Sequence, residues 1–314
     1  LKSKLKTAAR IVVTNCLGIK KNEKVVIVTD EICRSIGYTI WEAARAVADP
    51  VLLEIVPRLM HGEEPPALVA RVLEKCDVFI MPTSRSLSHT QARIKANKRG
   101  ARGATMPGIT TAVMERTLNA DYRKIARFTK KIAGLLDKAR SVRIQTGKGM
   151  ELHLDITGRK GFPDTGLIKQ AKGFSNLPAG EAYVAPIERA STGTIMIDGS
   201  FAPLGYLKKP VILHIEKGHI VKLQGNMKLA QVFEKYGNKE RVLCEFGIGT
   251  NTRAIITGNV LEDEKALGSI HVAFGNNLGF GGTNNARIHL DGVTSRPTVW
   301  LDDIPLIRRG KFLI

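Results

Sequence analysis

Hydrophobic and polar positions follow two different rhythms along this chain. From residue 20 to about 120, short β-rich runs alternate with stretches of helical period. The runs "KVVIVTD", "PVLLEIVP" and "DVFIMPTS" read as strands, and "RSIGYTIWEAARAVA", "PPALVARVLEKC" and "HTQARIKANKRG" as the helices between them. "ARGATMPGI" continues the series. Strands alternating with helices predict a parallel sheet covered on both faces. Pro65 and Pro66 suit a helix start and Gly100 a helix end. Ahead of the series, Leu1, Leu5, Ala9 and Val12 or Val13 recur at helical spacing and predict an amphipathic first helix. Its basic start lacks the cleavage site of a secretory leader.

A long helical stretch, "TAVMERTLNADYRKIARFTKKIAGLLDKA", closes this half. The rhythm then shortens to two: "SVRIQTGKGMELHLDITGRKG" alternates around "GKG" and reads as a hairpin. Short strands and glycine dominate the remainder. The expected fold is therefore α/β, with an N-terminal Rossmann-like parallel-sheet domain over residues 1–140 and a strand-rich α+β domain over 141–314.

Composition narrows the classes. Hydrophobic residues at 43% and charged residues at 25% are those of an ordinary folded protein. No stretch approaches the roughly 20 apolar residues of a membrane span. Cys16, Cys33, Cys76 and Cys244 form no C-x-x-C pair and read as reduced core residues of a cytoplasmic protein. The net charge of +19 and the run "QARIKANKRGARGA" raise nucleic-acid binding. The basic residues are spread over the whole chain, however, and aromatics at 5% leave few stacking platforms, so a solvated basic surface is the simpler reading. The first strand is not followed by G-x-G-x-x-G, which argues against a dinucleotide site.

Chemistry concentrates in the second half, where acidic and imidazole residues sit among small and apolar ones: Glu181, Glu245, His271, and His289 with Asp291. Buried charge is costly unless it is paired or bound to metal. His289 and Asp291, two apart in a strand-like run, project from one face and can share a divalent cation. Taken alone, an H-x-D pair is more often ordinary strand polarity. Glu181 could equally be a turn residue, Glu245 a strand-end carboxylate and His271 a satisfied core histidine. Glu262, Asp263 and Glu264 read as a solvated acidic loop.

Together, "NLPAGEAYVAP", "EFGIGTN", "LGSIHVAFGNN" and "HLDGV" resemble, in order and surroundings, the aminopeptidase T family of metallopeptidases. The resemblance implies Glu181, Glu245, His271, His289 and Asp291 as ligands of two divalent ions (Zn, Co or Mn). It implies a peptide substrate, a homodimer and hydrolysis by a metal-activated water, with Glu181 as general base. Two departures stand out: the chain is short for the family, and "HVAFGNNLGFGG" offers Leu278 and Phe280 where the family has an active-site tyrosine. Asn276, Asn277 and Tyr183 are the candidates to replace it. His271, His289 and Asp291 alone form the two-histidine, one-carboxylate set of non-haem Fe(II) oxygenases. A single-iron dioxygenase of the dihydroxypyridine type is therefore the alternative, and a non-enzymatic basic binding protein is a third.

Overall fold

The computed structural model describes residues 3–147 and 149–314; Leu1 of the first helix and Lys148 of the "GKG" turn lie outside the described residues. The chain packs as two compact units, Leu1–Ala126 with Thr165–Ala179, and Arg127–Asp164 with Gly180–Ile314. This division differs from a single cut near residue 140, because the chain returns to the first unit for fifteen residues before entering the second for good.

In the first unit, Ser3 caps helix α1 (Lys4–Ile11), which runs on as a π-turn over Val12–Cys16. Strands β1 (Val25–Asp30), β2 (Val51–Ile55), β3 (Val78–Met81) and β4 (Arg102–Thr105) follow, all parallel as the alternating pattern predicts. Helices α2 (Arg34–Arg45), α3 (Ala67–Leu73) and α4 (Gln91–Lys98) connect them. Pro66 precedes α3, and Gly100 past the end of α4 takes the left-handed φ of 115° that favours glycine. The long helical stretch is in fact two helices, α5 (Thr111–Thr117) and α6 (Tyr122–Leu136). Asp121 separates them by accepting the amides of Arg123 and Lys124, a polar start that a smooth apolar period conceals.

In the second unit, β5 (Ser141–Thr146) and β6 (Met150–Asp155) form the expected hairpin, followed by β7 (Phe162–Asp164). The next strand, β8 (Phe174–Asn176), belongs to the first unit. It adds in parallel to β4, with Phe174 beside Phe79 and the Asn176 side chain accepting from Thr105, giving the order β2-β1-β3-β4-β8. Back in the second unit come β9 (Glu181–Val184), β10 (Thr192–Ile197), β11 (Ser200–Phe201), β12 (Gly205–Tyr206), β13 (Val211–Glu216) and β14 (His219–Gln224). After helix α7 (Met227–Glu234) follow β15 (Leu243–Gly249), the short helix α8 (Val260–Asp263), β16 (Ile270–Gly275), β17 (His289–Thr294), β18 (Thr298–Leu301), β19 (Ile304–Arg308) and β20 (Lys311–Phe312).

These strands make two sheets, ordered β14-β13-β10-β6-β5-β18-β19-β20 and β12-β11-β17-β16-β15-β9-β7. Ile144, Leu152 and Ile195 from the first and Val184, Phe246, Val272 and Phe274 from the second share one apolar core. Among the described residues, all four cysteines are buried and none is in a disulfide. No helix among the described residues is long and apolar enough to cross a membrane.

Candidate metal centre

Cross-strand register brings the candidate residues together. Glu181 pairs with Gly249 and Tyr183 with Gly247 across β9 and β15. Gly247 then faces His271 and Glu245 faces Ala273 across β15 and β16. Asp291 faces Ala273, and His289 faces Gly275, across β16 and β17. Because side chains alternate across a strand, Glu181, Tyr183, Glu245, His271, His289 and Asp291 share one face of the sheet. Ala182, Val184, Phe246, Ile248, Ile270, Val272 and Phe274 take the other face and build the core. The expected single face for His289 and Asp291 is observed, and three more strands extend it.

Small residues make room for this cluster. A Cβ on Gly247 would lie 2.0 Å from Cε1 of His271, so the imidazole rests directly over the glycine. A Cβ on Gly249 would lie 2.0 Å from the Ala266 carbonyl oxygen, so this glycine admits the 264–266 segment against β15. Between Leu243 and Glu245 a bulge inserts Cys244, whose Sγ lies 3.6 Å from Nδ1 of His289.

Glu245 stands between the two histidines. Nε2 of His271 is 3.1 Å from Oε1 of Glu245 and 3.6 Å from Oε2 of Glu181. Nε2 of His289 is 3.3 Å from Oε2 of Glu245 and 3.4 Å from Oδ1 of Asp291. Nδ1 of His289 donates to the Asn276 carbonyl at 2.9 Å, which directs its other nitrogen into the cluster. His271 is buried, and burial disfavours its cation. The Glu245 hydrogen bond and the charges of Glu181, Glu245 and Glu264 outweigh that and hold it up at about 9. His289 is likewise raised well above the ordinary value: burial opposes its charge, while Cys244 and Asp291 favour it. Burial would raise the Glu245 carboxyl, but the two histidines hold it well below the usual carboxylate range.

Two residues of the centre escaped the sequence. Lys265 is 1% exposed, and its Nζ donates to Oε1 of Glu181 at 2.7 Å and also to Glu264. Burial opposes the ammonium, yet the Glu181 and Glu264 carboxylates keep its pKa well above the ordinary lysine value. Glu264 is pushed up to about 8 by burial, with Lys265 pulling the other way. The solvated-loop reading of 262–264 is thus corrected: Glu262 and Asp263 are fully buried. Glu262 accepts the Ile255 amide, and Asp263 accepts those of Thr257 and Gly258. A run of four charges in "LEDEK" carries no local mark of burial, and only the turn built around it supplies the partners.

Among the candidates to replace the tyrosine, Asn277 is buried and donates to Glu188 and the Cys244 carbonyl, holding the loop after β16. Asn276 acts through its carbonyl on His289. Tyr183 lies on the site face, stacked on Phe162 with ring centroids 5.6 Å apart and edge-on to Phe280 at 5.4 Å. Phe280 in turn lies edge-on to His289 at 6.1 Å. An aromatic wall therefore borders the cluster.

The residues fit a divalent cation. Oε2 of Glu181 and Nδ1 of His271 are buried without a hydrogen-bond partner, and Glu181, Glu264 and His271 can bring ligand atoms within 4.8 Å of one another. Raised pKa values on His271 and His289 show that the surrounding carboxylates favour positive charge at this place, which one divalent ion would supply.

The fold and cluster describe an α/β protein whose buried acid–imidazole group on an antiparallel sheet could hold a metal ion. The chain belongs to the family described as NicX, 2,5-dihydroxypyridine 5,6-dioxygenase, whose profile matches residues 5–314. Among solved structures it is similar to 2,5-dihydroxypyridine dioxygenase from Pseudomonas putida KT2440, at 18% identity and a TM-score of 0.82, covering 100% of this chain and 98% of the other. It is also similar to wild-type AmpT from Thermus thermophilus, at 17% identity and a TM-score of 0.76, covering 99% of each chain. At these identities both likenesses concern the fold, which the aminopeptidase T resemblance anticipated; the family profile points instead to the dioxygenase. No curated protein matches the chain.

Proposed function

We propose that this chain is a single-iron dioxygenase that opens an electron-rich aromatic ring of the dihydroxypyridine class, with His271, His289 and Asp291 holding the metal and Glu245 between the histidines. The observation that carries this reading is the wall of Phe162, Tyr183 and Phe280 against His289. Flat aromatic faces stack a planar ring and exclude water from it, whereas a peptide N-terminus needs polar acceptors in that position. Family membership over residues 5–314 supports the same reaction. A ferrous ion held by two histidines and a carboxylate supplies the redox chemistry that lets dioxygen react with such a ring.

The protein's own groups prepare the site. The Asn276 carbonyl fixes the His289 tautomer. Glu245 accepts from His271 and lies beside both imidazoles; held well below the usual carboxylate range, it acts as a fixed negative charge that orients the two rings. Tyr183, its phenol kept protonated by burial and by neighbouring Glu245, Asp164 and Glu181, can donate a hydrogen bond to a bound ring.

A metal-dependent aminopeptidase is the second reading, favoured by the full set Glu181, Glu245, His271, His289 and Asp291 on one face. It gives Glu181 the general-base role, although one of its oxygens already accepts from Lys265. Oxygen uptake by Fe(II)-loaded protein given 2,5-dihydroxypyridine tests the proposal. The expected result is one dioxygen consumed per ring lost, abolished by His289→Ala. Absence of uptake, together with hydrolysis of leucine amide by the Co(II) or Zn(II) form, would establish the second reading instead.

A further inference from the structure

Phe162 and Tyr183 face each other across the β7–β9 pair, so the sheet itself fixes their stack. Phe280 has no such support. It ends a short turn, Leu278–Phe280, in a glycine-rich loop, and Gly281 after it takes a left-handed φ of 92°. Backbone of this kind gives up much conformational freedom on ordering and needs ties from outside. Asn277 clasps the base of the loop. Its side-chain oxygen accepts the Asn284 amide at 2.8 Å, and its carbonyl accepts the Gly282 amide at 3.1 Å. Arg159 and Glu188 hold the flank. The Arg159 guanidinium donates to the Gly281 carbonyl and pairs with Oε2 of Glu188. Oε1 of Glu188 accepts the Thr283 amide at 2.7 Å and the Asn277 side-chain amide at 2.9 Å.

Arg159 stands just ahead of β7, which carries Phe162; Glu188 lies beyond β9, which carries Tyr183; and Gly281 adjoins Phe280. One ion pair thus joins the three segments that present the aromatic wall. We propose that Arg159 and Glu188 are positioning residues for ring recognition, which hold Phe280 against Tyr183 and His289 and so set how tightly a planar substrate is gripped. The pair is sheltered, its side chains 15% and 17% exposed, where a charge-assisted bond is stronger than an ion pair in water. Burial would raise the Glu188 carboxyl, but the Thr283 amide, Asn277 and Arg159 hold it at about 2. Both its oxygens accept hydrogen bonds, so a neutral amide at 188 must turn its NH2 toward one of these donors.

The part of this inference that concerns recognition rests on the ring substrate proposed above; the hold on the loop does not. Hydrogen–deuterium exchange of metal-loaded wild type and Glu188→Gln reads the loop directly. The peptide spanning 277–284 should exchange about tenfold faster or more in the variant, with β16 and β17 unchanged. Unchanged exchange in the loop would overturn the proposal. Arg159→Lys keeps the charge but loses the fork that joins Gly281 to Glu188; it should loosen the same peptide, and it serves if Glu188→Gln does not fold. Calorimetric titration of Co(II)-loaded protein with 2,5-dihydroxypyridine under nitrogen then reads recognition without turnover. Glu188→Gln should weaken binding by about tenfold, as Phe280→Ala does, while Co(II) affinity stays within about threefold. In the Phe280→Ala background the same change should cost less than about twofold, because Glu188 acts through Phe280. A further loss of about tenfold in that background, or a comparable loss of Co(II) affinity from Glu188→Gln alone, would contradict a positioning role. Wild type that binds no ring, with a loop that still loosens in the variant, would sink the proposed substrate and leave the hold on Phe280 standing. Ring binding by wild type that Glu188→Gln leaves intact would do the reverse.

Discussion

Gly247→Ala is the sharpest perturbation of the centre. Gly247 carries no ligand, and its neighbours Phe246 and Ile248 point into the core. The added Cβ would sit 2.0 Å from Cε1 and 2.2 Å from Nε2 of His271. Ordinary contact begins near 3.4 Å, so the imidazole must retreat by about 1.4 Å. Metal–nitrogen bonds tolerate only about 0.2 Å around 2.0–2.1 Å, so the shift removes His271 as a ligand. Metal affinity should fall by about a hundredfold or more, corresponding to about 2.7 kcal/mol, while strain lowers stability by about 1–3 kcal/mol. Calorimetric titration with Co(II) and thermal melting read the two effects separately. Gly134→Ala in α6 is the control: a Cβ there meets nothing within 4 Å, so metal binding should not change and the melting temperature should hold or rise slightly. A Gly247→Ala protein that binds metal within threefold of wild type would refute the placement of His271.

Other expectations follow from the same geometry. The metal-free His271 pKa of about 9 is raised from 6.5. Its contribution to stability, about 3 kcal/mol at most, is therefore fully present below pH 6.5 and lost as pH rises through 9; denaturant melts of the metal-free protein from pH 6 to 10 should show this decline. Metal must displace the protons of both His271 and His289, so affinity should climb with pH by up to about a hundredfold per unit while both rings are protonated, as titrations in matched buffers would show. Phe280→Ala should weaken binding of a planar aromatic ligand by about tenfold and leave metal content unchanged, because it removes one face of the wall and no ligand. The four buried thiols should resist a bulky thiol reagent in the native protein and react on unfolding, whereas prompt labelling of Cys244 would contradict its place behind His289.

Much of this arrangement was legible in the chain because strand alternation is local. The runs that became β1 to β4, the β5–β6 hairpin and the shared face of His289 and Asp291 follow from period alone. Glu181, Glu245 and His271 could be singled out because charged groups among small residues in β-rich runs are unusual. What stayed hidden depends on distant parts of the chain. The break between α5 and α6 turns on one aspartate cap, and the return of β8 to the parallel sheet on Phe79 and Thr105, about seventy to a hundred residues earlier. The burial of Glu264 and Lys265 depends on a glycine in β15 and a carboxylate in β9. The aromatic wall joins three residues from β7, β9 and the loop after β16, which no spacing rule connects.

The most direct test of the central claim is mass spectrometry of the product formed by Fe(II)-loaded protein from 2,5-dihydroxypyridine under isotopically heavy dioxygen. A single-iron ring-opening enzyme places both heavy atoms in the product. Unchanged substrate from correctly folded, iron-replete protein, or a product carrying no label, would contradict the account.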